Sequence, residues 1–565
     1  MKVTRFKYYF ISLILIVFGL IEAAQGQPAV SAEKAKMLVE KVSMVTDREI
    51  YCVDEQILFS AFNLSSEQLR KAEWSTVLYV ELIAPDGQII VRRKCVYNKN
   101  GASGMLQIPT NTLTGNYYLR AYTRWMRDFS PYSYYYKLVT VINPFRPELL
   151  EPSIGAVLDK LKMQQSLANN SDLKLEPDRN NYGKREQVNL KIKFNDGSIS
   201  DKWTASVIPS GLETSLIPDI KNLQELKFSP DFIPETRGLS ISGRVVNEVD
   251  SIPIPYTLVG LTVFKDQPEI RNIRTNDKGQ FFFDLSNLIG EYEIFISAKA
   301  DENKKPLILV DNDFTTSRIE LPFVSVDMSQ NSKNLYQSLI FTSQMQSLYR
   351  QQKVKDELKP FTPDSSFYGK SDFVLKLSDY VALSSVKEYF YELVPSVRVK
   401  HDGEGVGLRV LGAYSDLAIY EPLVLVDMVP IFDIEKILAL QPDKIDRIEV
   451  VTMPYVRGDI VFGGIVSLFS KKGDLAGIDL PTAGRFITYN MLGSDVAPEY
   501  PSLSNSHIPN VRNCLYWNPS VKPDQSGTAE LSFNTGDNTG DFIIVLKGIG
   551  KNGDTQTAIS KITVR

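Results

Sequence analysis

Residues 422–473 read PLVLVDMVPIFDIEKILALQPDKIDRIEVVTMPYVRGDIVFGGIVSLFSKKG, and they decide the fold of the later part of the chain. Apolar runs within this stretch predict short strands at 423–426, 448–451 and 465–469. Between the first two runs, Asp433 is placed to cap a short amphipathic helix that Pro442 ends. A glycine-bearing loop around Gly458 leads into the last run. The stretch therefore predicts an α+β unit.

The order of these elements resembles the plug domain of TonB-dependent outer-membrane transporters. In that family a Val-Asp-Gly turn followed by proline, an Ile-Glu-Val strand, a loop with tyrosine and glycine, and a Gly-Gly-Ile segment ending in Lys-Lys-Gly occur in the same order. Met428 stands where the family usually has glycine. We therefore expect the turn after Asp427 to be built differently.

The chain is too short to enclose such a plug in a barrel of its own. Barrels of that class have about 22 strands. A membrane strand needs about 9–11 residues, so the barrel requires roughly 200 residues before any loop. Only 92 residues (565 minus 473) follow Gly473. The resemblance thus implies a plug-like domain at 372–473 that has no channel of its own.

Length and composition indicate several β-rich domains. The chain has 565 residues, whereas a single core stops growing at about 250–300 residues. Its 27 tyrosines and 28 phenylalanines favour strands. The net charge of −4 argues against nucleic acid as a partner.

The N-terminus has the pattern of a secretory signal peptide. Basic residues precede an apolar run at 8–21, and a small-residue cleavage site ends at Gly26. The alternative is an uncleaved anchor, but the run is short for a membrane span. No later stretch is long and apolar enough to cross a membrane. We expect residues 1–26 to be removed and the protein to be exported to the periplasm or the outer membrane.

Residues 43–147 contain regularly spaced short apolar runs separated by turn signals, which is typical of a β-sandwich. Thr46-Asp47-Arg48 with Tyr51, and the later run at 115–122, resemble the second macroglobulin-type (MG2) domain of the α2-macroglobulin superfamily. That resemblance implies an immunoglobulin-like sandwich of the macroglobulin type.

An internal repeat predicts a second sandwich of this type at about 172–232. The pattern Asp-Arg-x-x-Tyr-x-x-x-Glu-Gln begins at Asp47 and again at Asp178, each time just before an apolar run. We expect the aspartate–arginine pair and the tyrosine to hold the start of a strand in both copies. The role predicted for them is structural.

Three further segments complete the predicted organisation. The segment Ser242-Gly243-Arg244-Val245-Val246 and the run at 290–296 make residues 238–325 resemble the carboxypeptidase regulatory-like domain. That domain is a small sandwich without catalytic residues, and it commonly precedes plug domains. Residues 331–371 predict a helix followed by a proline- and serine-bearing linker. Residues 510–565 predict a C-terminal β-sandwich, similar to the one that closes related plug-bearing envelope proteins of Bacteroidota.

The macroglobulin resemblance raises the question of an internal thioester, which joins a cysteine to a glutamine three positions on. Here Gln56 lies four positions after Cys52, in a predicted β-domain, so we do not expect this bond. The other cysteines are Cys95 and Cys514. A Cys52–Cys95 disulfide and three separate buried thiols both remain open.

Other motifs carry little indication of catalysis. His401-x-x-Glu404 with the later His507 matches the ligand types of zinc carboxypeptidases, but neither histidine lies in an identifiable catalytic domain. Gly369-Lys370-Ser371 lacks the first glycine of a phosphate-binding loop, and no Gly-x-Ser-x-Gly elbow occurs. Hairpin turns explain the repeated Asn-Thr-Gly-Asp at 534–541 better than a calcium site does. The acidic pair Asp311 and Asp313 is better explained as part of a solvated loop than as a catalytic pair. We predict no catalytic, cofactor-binding or metal-binding residue.

These expectations combine into a functional hypothesis. The chain is predicted to be a non-enzymatic, exported envelope scaffold or binding protein whose plug-like domain associates with an outer-membrane uptake or export complex. The alternative is a macroglobulin-like binder that faces proteases or the host, and a zinc peptidase is the minor alternative. The ligand, the partner and the stoichiometry stay open.

Overall fold

The structure is a computed structural model of the 565-residue chain. It describes residues 38–152, 173–194, 203–213, 228–229, 231–265, 268–285, 287–299, 304–317, 319–349, 367–402, 405–412, 419–457, 460–478, 484–493, 507–549 and 555–565. The predicted signal peptide (1–26) and Gly458 lie outside these residues. The chain forms two compact units, each assembled from separated segments. The first unit comprises Met1–Thr236, Phe314–Gln351 and Gly493–Arg565, and the second comprises Arg237–Asp313 and Gln352–Leu492.

Strands dominate both units, which confirms the mainly β, multidomain fold class. The strands up to Pro209 are β1 (Val42–Thr46), β2 (Ile50–Cys52), β3 (Gln56–Asn63), β4 (Val77–Ile83), β5 (Ile89–Val96), β6 (Ala102–Gln107), β7 (Gly115–Tyr122), β8 (Tyr135–Ile142), β9 (Lys174–Pro177), β10 (Asn181–Tyr182), β11 (Gln187–Lys193) and β12 (Trp203–Pro209). Those of the second unit are β13 (Ser240–Asn247), β14 (Leu258–Val263), β15 (Glu269–Arg274), β16 (Gln280–Asp284), β17 (Glu291–Ala298), β18 (Pro306–Val310), β19 (Phe373–Lys376), β20 (Val397–Asp402), β21 (Gly405–Val410), β22 (Leu423–Val426), β23 (Val429–Pro430), β24 (Ile445–Val451), β25 (Tyr455–Arg457), β26 (Ile460–Phe462), β27 (Ile465–Ser470) and β28 (Gly484–Asn490). The chain ends with β29 (Tyr516–Val521), β30 (Thr528–Asn534), β31 (Gly540–Ile549) and β32 (Thr555–Val564), and its helices are α1 (Glu67–Lys71), α2 (Gln330–Tyr349), α3 (Val386–Glu392) and α4 (Ile434–Leu438).

The first sandwich packs a three-stranded sheet, β1-β3-β6, with a five-stranded sheet, β2-β8-β7-β4-β5. Every residue of β4 and β7 is buried, so these two strands form the centre of its core. Helix α1 follows β3 and is capped by Ser66, whose hydroxyl accepts the backbone N–H of Leu69.

The strands at 172–232 and at 510–565, predicted as two sandwiches, form a single one. Its sheets are β10-β32-β31-β12-β29 and β30-β11-β9, and β11 pairs antiparallel with β30 from Gln187↔Asn534 to Lys193↔Thr528. The prediction of separate domains is therefore wrong. Strand β11 buries alternate residues, so one of its faces needs a covering layer. The strands of 172–232 alone cannot cover that face. Their core includes Trp203, Phe533 and Ile544.

Two more boundaries differ from the prediction of a regulatory-like domain at 238–325. That region forms the sheets β16-β13-β18 and β15-β14-β17-β28, and β28 comes from 484–490, outside the predicted range. Residues beyond 313 leave this sandwich and belong to the first unit, where Tyr118 donates to the carbonyl of Pro322 at 2.7 Å. Helix α2 also belongs to the first unit, in which Tyr336 and Leu339 are buried.

The α+β module of the second unit is built on the sheet β19-β24-β27-β22-β23, with helices α3 and α4. Strands β22 and β27 are parallel, and the other neighbours in the sheet are antiparallel. A side chain caps the start of each helix, and the cap of α4 is Asp433, as predicted from the sequence. Ser385 accepts the N–H of Glu388, and Asp433 accepts the N–H of Lys436.

The turn between β22 and β23 has the backbone that glycine normally provides. Asp427 and Met428 both have positive φ, 46° and 66°, as in the tight hairpin turns that favour glycine. Met428 tolerates this conformation because its side chain is fully buried, beside Leu425, Phe462 and Phe469. The differently built turn expected from the sequence is therefore not observed: the turn is tight, and Met428 contributes an apolar side chain to the core.

Among the described residues, no helix combines the length and the apolar character that a membrane span requires. The predicted helix of 331–371 illustrates this. Helix α2 is 20 residues long, but its sequence is rich in glutamine, serine and asparagine.

Candidate functional site

The two edges of the α+β sheet differ in what covers them. At one edge, the short strand β23 lies against the small sandwich of the same unit. Thr262 donates to the carbonyl of Met428, and Ser297 donates to the carbonyl of Pro430, both at 3.3 Å. Backbone groups at this edge are therefore held by side chains from the neighbouring sandwich.

At the opposite edge, β19 is the terminal strand and pairs only with β24 among the described residues. Large apolar side chains on β19 and just after it are exposed: Val374, Tyr380 and Val381, the last 84% exposed. Tyr391 of helix α3 is also exposed, with the Lys387 ammonium 5.9 Å from its ring centroid. An open strand edge with exposed apolar side chains is a template for an added strand.

A buried carboxylate fixes the far end of the same sheet. Asp427 accepts the N–H of Ser470 at 2.7 Å, the hydroxyl of Ser470 at 2.6 Å and the N–H of Leu475 at 2.8 Å. These bonds hold the end of β27 against the β22–β23 turn. The aspartate of the plug-like pattern therefore has a structural role here.

The repeated motif forms the same contacts in both sandwiches. In the first copy, Arg48 pairs with Asp47 and Glu55, each at 2.7 Å. Tyr51 donates to Asp47 at 2.8 Å, and Asp47 also accepts the N–H of Leu58 in β3 at 3.1 Å. These bonds fasten the chain before β2 to the adjacent strand.

The second copy reproduces this geometry at lower burial. Arg179 pairs with Glu186 at 2.8 Å, Tyr182 donates to Asp178 at 2.7 Å, and Asp178 accepts the N–H of Asn189 in β11 at 2.8 Å. The Arg179 side chain is 51% exposed, whereas that of Arg48 is 5% exposed.

The first copy is buried because other parts of the first unit cover it. Asn513 donates to the remaining oxygen of Glu55 at 2.8 Å and to the carbonyl of Leu339 in α2 at 3.1 Å. Burial opposes the charge of Arg48, but Glu55 and Asp47 outweigh it and hold the pKa of the guanidinium above its usual value. The first copy therefore also joins the two sandwiches.

The residues of the thioester and zinc hypotheses do not converge on a reactive site in the described residues. Cys52 ends β2 and Gln56 begins β3, and burial raises the pKa of the Cys52 thiol. His401 lies on β20 in the second unit and His507 precedes β29 in the first; both are exposed, and Glu404 lies outside the described residues. Within the described ranges, no group of three or more histidine, cysteine or acidic side chains is arranged to hold a metal ion.

The remaining motifs have structural contacts. Asp311 accepts the hydroxyl of Ser242 at 2.6 Å, and Asp313 accepts that of Tyr489. Asp537 of the Asn-Thr-Gly-Asp repeat pairs with Arg185 at 2.6 Å, which lowers the pKa of the carboxyl to about 2. Gly369-Lys370-Ser371 lies in the segment before β19.

All three cysteines are free thiols. Cys52 and Cys95 are buried, and Cys514 is partly buried. Of the two possibilities left open by the sequence, the structure has the unbridged one.

The exposed side chains at the β19 edge have no distinguishing pattern in the sequence. The apolar residues near Val381 are visible in the sequence, but an apolar residue before a helix usually packs against it. Only the exposure of these side chains distinguishes them.

Comparisons with known proteins give low similarity. No protein-family model matches the chain, and no curated protein matches it. Among solved structures, it is similar to Salmonella alpha-2-macroglobulin reacted with methylamine, at 9% identity and a TM-score of 0.22, covering 93% of this chain and 39% of that one. It is also similar to the native conformation of E. coli alpha-2-macroglobulin, at 10% identity and a TM-score of 0.23, covering 96% of this chain and 40% of that one. The chain thus spans about two fifths of the length of these proteins, and TM-scores this low do not assign it to their family.

Proposed function

We propose that this chain is a non-enzymatic, exported envelope protein that binds a partner through its α+β module. The observation that carries the proposal is the asymmetry of the α+β sheet. Its β23 edge is covered by the small sandwich, whereas its β19 edge is free among the described residues and presents Val374, Tyr380 and Val381. An extended segment of the partner adds to β19 by backbone hydrogen bonds, and its side chains cover the exposed apolar ones.

Buried ion pairs support a scaffold role for the first unit. Glu49 of the first sandwich pairs with Lys137 at 2.5 Å and lies 3.9 Å from Lys547 of the second. Lys547 also pairs with Glu213, which follows β12. Of these three pairs, Glu49–Lys547 is the one that crosses from one sandwich to the other, so it joins the two at this point.

The proposed partner is an outer-membrane or envelope protein of an uptake or export complex. The support comes from the sequence, namely the signal-peptide pattern and the plug-like order of elements at 422–473. In this proposal the module works as a docking element.

The test is affinity capture from detergent-solubilised envelope with the tagged full chain. The variant Tyr380→Ser/Val381→Asp is expected to recover roughly tenfold less of the partner, because it removes the apolar cover of the edge. Val249→Asp is the matched control, since Val249 is as exposed but lies in the small sandwich. Amides of 373–376 are expected to gain protection from hydrogen exchange when the recovered partner is added.

Two outcomes would contradict the proposal. One is recovery of no envelope protein by the wild-type chain. The other is equal recovery by both variants. Protease treatment of intact cells separates the alternative of a protease- or host-facing binder, because a periplasmic protein survives the treatment and a surface protein does not.

A further inference from the structure

A groove in the first unit lies at the junction of its two sandwiches. It is formed by helix α1, the turn between β5 and β6, and the turn between β29 and β30. Its volume is about 810 Å³, within the range of sites that hold small ligands. Beside it, Ser60 of β3 donates to the carbonyl of Pro519 in β29 at 3.1 Å, so both walls belong to one packed junction.

The groove carries an excess of positive charge. Four cations line it, Arg70, Lys71, Lys99 and Lys522, against two carboxylates, Glu67 and Asp524, which leaves two positive charges (4 − 2). Glu67 is paired with Lys71 at 2.7 Å. The carboxylate of Asp524 accepts hydrogen bonds from Ser526 and Thr528 of its own turn.

Three of these cations have no ion-pair partner in the described part of the chain: Arg70, Lys99 and Lys522. They come from three separate loops or helices that only the fold brings together. The Nε atom of Arg70 is buried and has no hydrogen-bond acceptor among the described residues. Because Nε itself is out of a ligand's reach, we expect Arg70 to contact a bound oxyanion through its terminal guanidinium nitrogens.

The rest of the lining indicates the kind of ligand. Among the described residues that line it are polar side chains and turn backbone, including Asn100, Gln525 and Ser526; Pro523 is the one apolar residue of this set, and none is aromatic. Without an aromatic face, the groove has no platform on which a nucleobase stacks. Guanidinium and ammonium groups together with amides suit tetrahedral oxyanions on a hydroxylated ligand.

We propose that this groove binds a small polyanion, a saccharide- or cyclitol-sized molecule that bears several phosphate or sulfate groups. Arg70, Lys99 and Lys522 contact its oxyanions, and the polar side chains of the two turns contact its hydroxyl groups. Because the walls come from different sandwiches, the bound ligand also bridges them. The site is independent of the β19 edge, so either proposal can fail without the other.

The test is isothermal titration of the full chain at low ionic strength with inositol hexakisphosphate, sucrose octasulfate and sucrose. The two polyanions are expected to bind, with affinity falling as salt is raised, and sucrose is not. Lys99→Gln/Lys522→Gln and Arg70→Gln are each expected to weaken binding roughly tenfold or more. Lys561→Gln is the control. Lys561 is exposed on β32, which β31 and β12 separate from β29 in the sheet. This variant is expected to change the affinity less than twofold.

The outcomes separate the sources of the oxyanion. Binding of the phosphate probe alone, or of the sulfate probe alone, supports the groove and identifies its anion. Absence of binding by both, or wild-type affinity in Lys99→Gln/Lys522→Gln, overturns the proposal. Both lysines are exposed, so this double variant decides the question even if Arg70→Gln perturbs helix α1.

Discussion

Replacing Arg48 with alanine is expected to open the start of β2 locally, whereas the same change at Arg179 is not. The two arginines occupy equivalent positions of one repeated motif. Arg48 bonds Asp47 and Glu55 at 2.7 Å and the carbonyl of Ile50 at 3.1 Å, in buried surroundings. Arg179 makes its main pair with Glu186 at the surface.

The magnitude follows from burial. Removing one partner of a buried ion pair costs about 3–5 kcal/mol, because the remaining charges stay desolvated. At about 1.4 kcal/mol per tenfold, the locally open population rises by roughly a hundredfold to a few thousandfold. Exposed pairs such as that of Arg179 contribute little, since water replaces the lost partner.

The assay is the reaction rate of the Cys52 thiol with a thiol reagent, with each labelled cysteine identified by peptide mass spectrometry. Cys52 is buried three residues before Glu55, so it reacts only when this segment opens. Labelling of Cys95, buried on β5, reports opening of the whole sandwich. The reasoning is refuted if Arg48→Ala leaves the Cys52 rate unchanged, or if Arg179→Ala raises it equally.

Three further predictions concern burial and charge. Burial raises the pKa of both Glu40 and Asp128 to about 7. The stability that their protonated forms contribute is therefore present below their unfolded pKa near 4 and is lost as pH rises to about 7. Glu40→Gln is expected to flatten a profile of stability against pH, measured by urea unfolding between pH 5 and 8. Met428→Gly relieves the strain of a positive φ but removes a buried side chain. We therefore expect the free energy of unfolding of the second unit, measured in urea, to fall by about 1–3 kcal/mol. A gain in stability would contradict the account of the turn. Lys547→Met is expected to destabilise the first unit by about 3 kcal/mol, because it leaves Glu213 buried without its cation. Adding Glu213→Gln is expected to restore much of the lost stability. If the single and double variants are equally unstable, the ion pair itself does not matter.

Features with a local signal could be predicted from the sequence. The cap at Asp433 and the strand that begins at Leu423 lie where the sequence places them. Each depends on residues within one or two turns of chain. The repeated contacts of Asp47 and Asp178 with a tyrosine four residues later also follow from short spacing.

Pairing between strands that are distant in sequence could not be predicted. Strand β11 shows the alternation of a half-buried strand, but that pattern is satisfied by any neighbour, so it did not reveal pairing with β30 more than 300 residues away. Strand β28 similarly joins β17 from outside the predicted domain. The exposed edge at β19 and the groove between α1 and the turn after β29 also depend on which segments meet.

By itself, the amino-acid sequence determined the β-rich class, the local elements of residues 422–473 and the repeated strand-start motif, because periodicity, caps and short-range hydrogen bonds act within a few residues. The tertiary structure alone decided that residues 172–232 and 510–565 share one core, that the Arg48 copy is buried while the Arg179 copy is exposed, and that three cations converge on one groove. The physical reason is that an apolar face or an unpaired charge specifies the kind of surface it needs. Which distant segment supplies that surface is settled only when the whole chain packs.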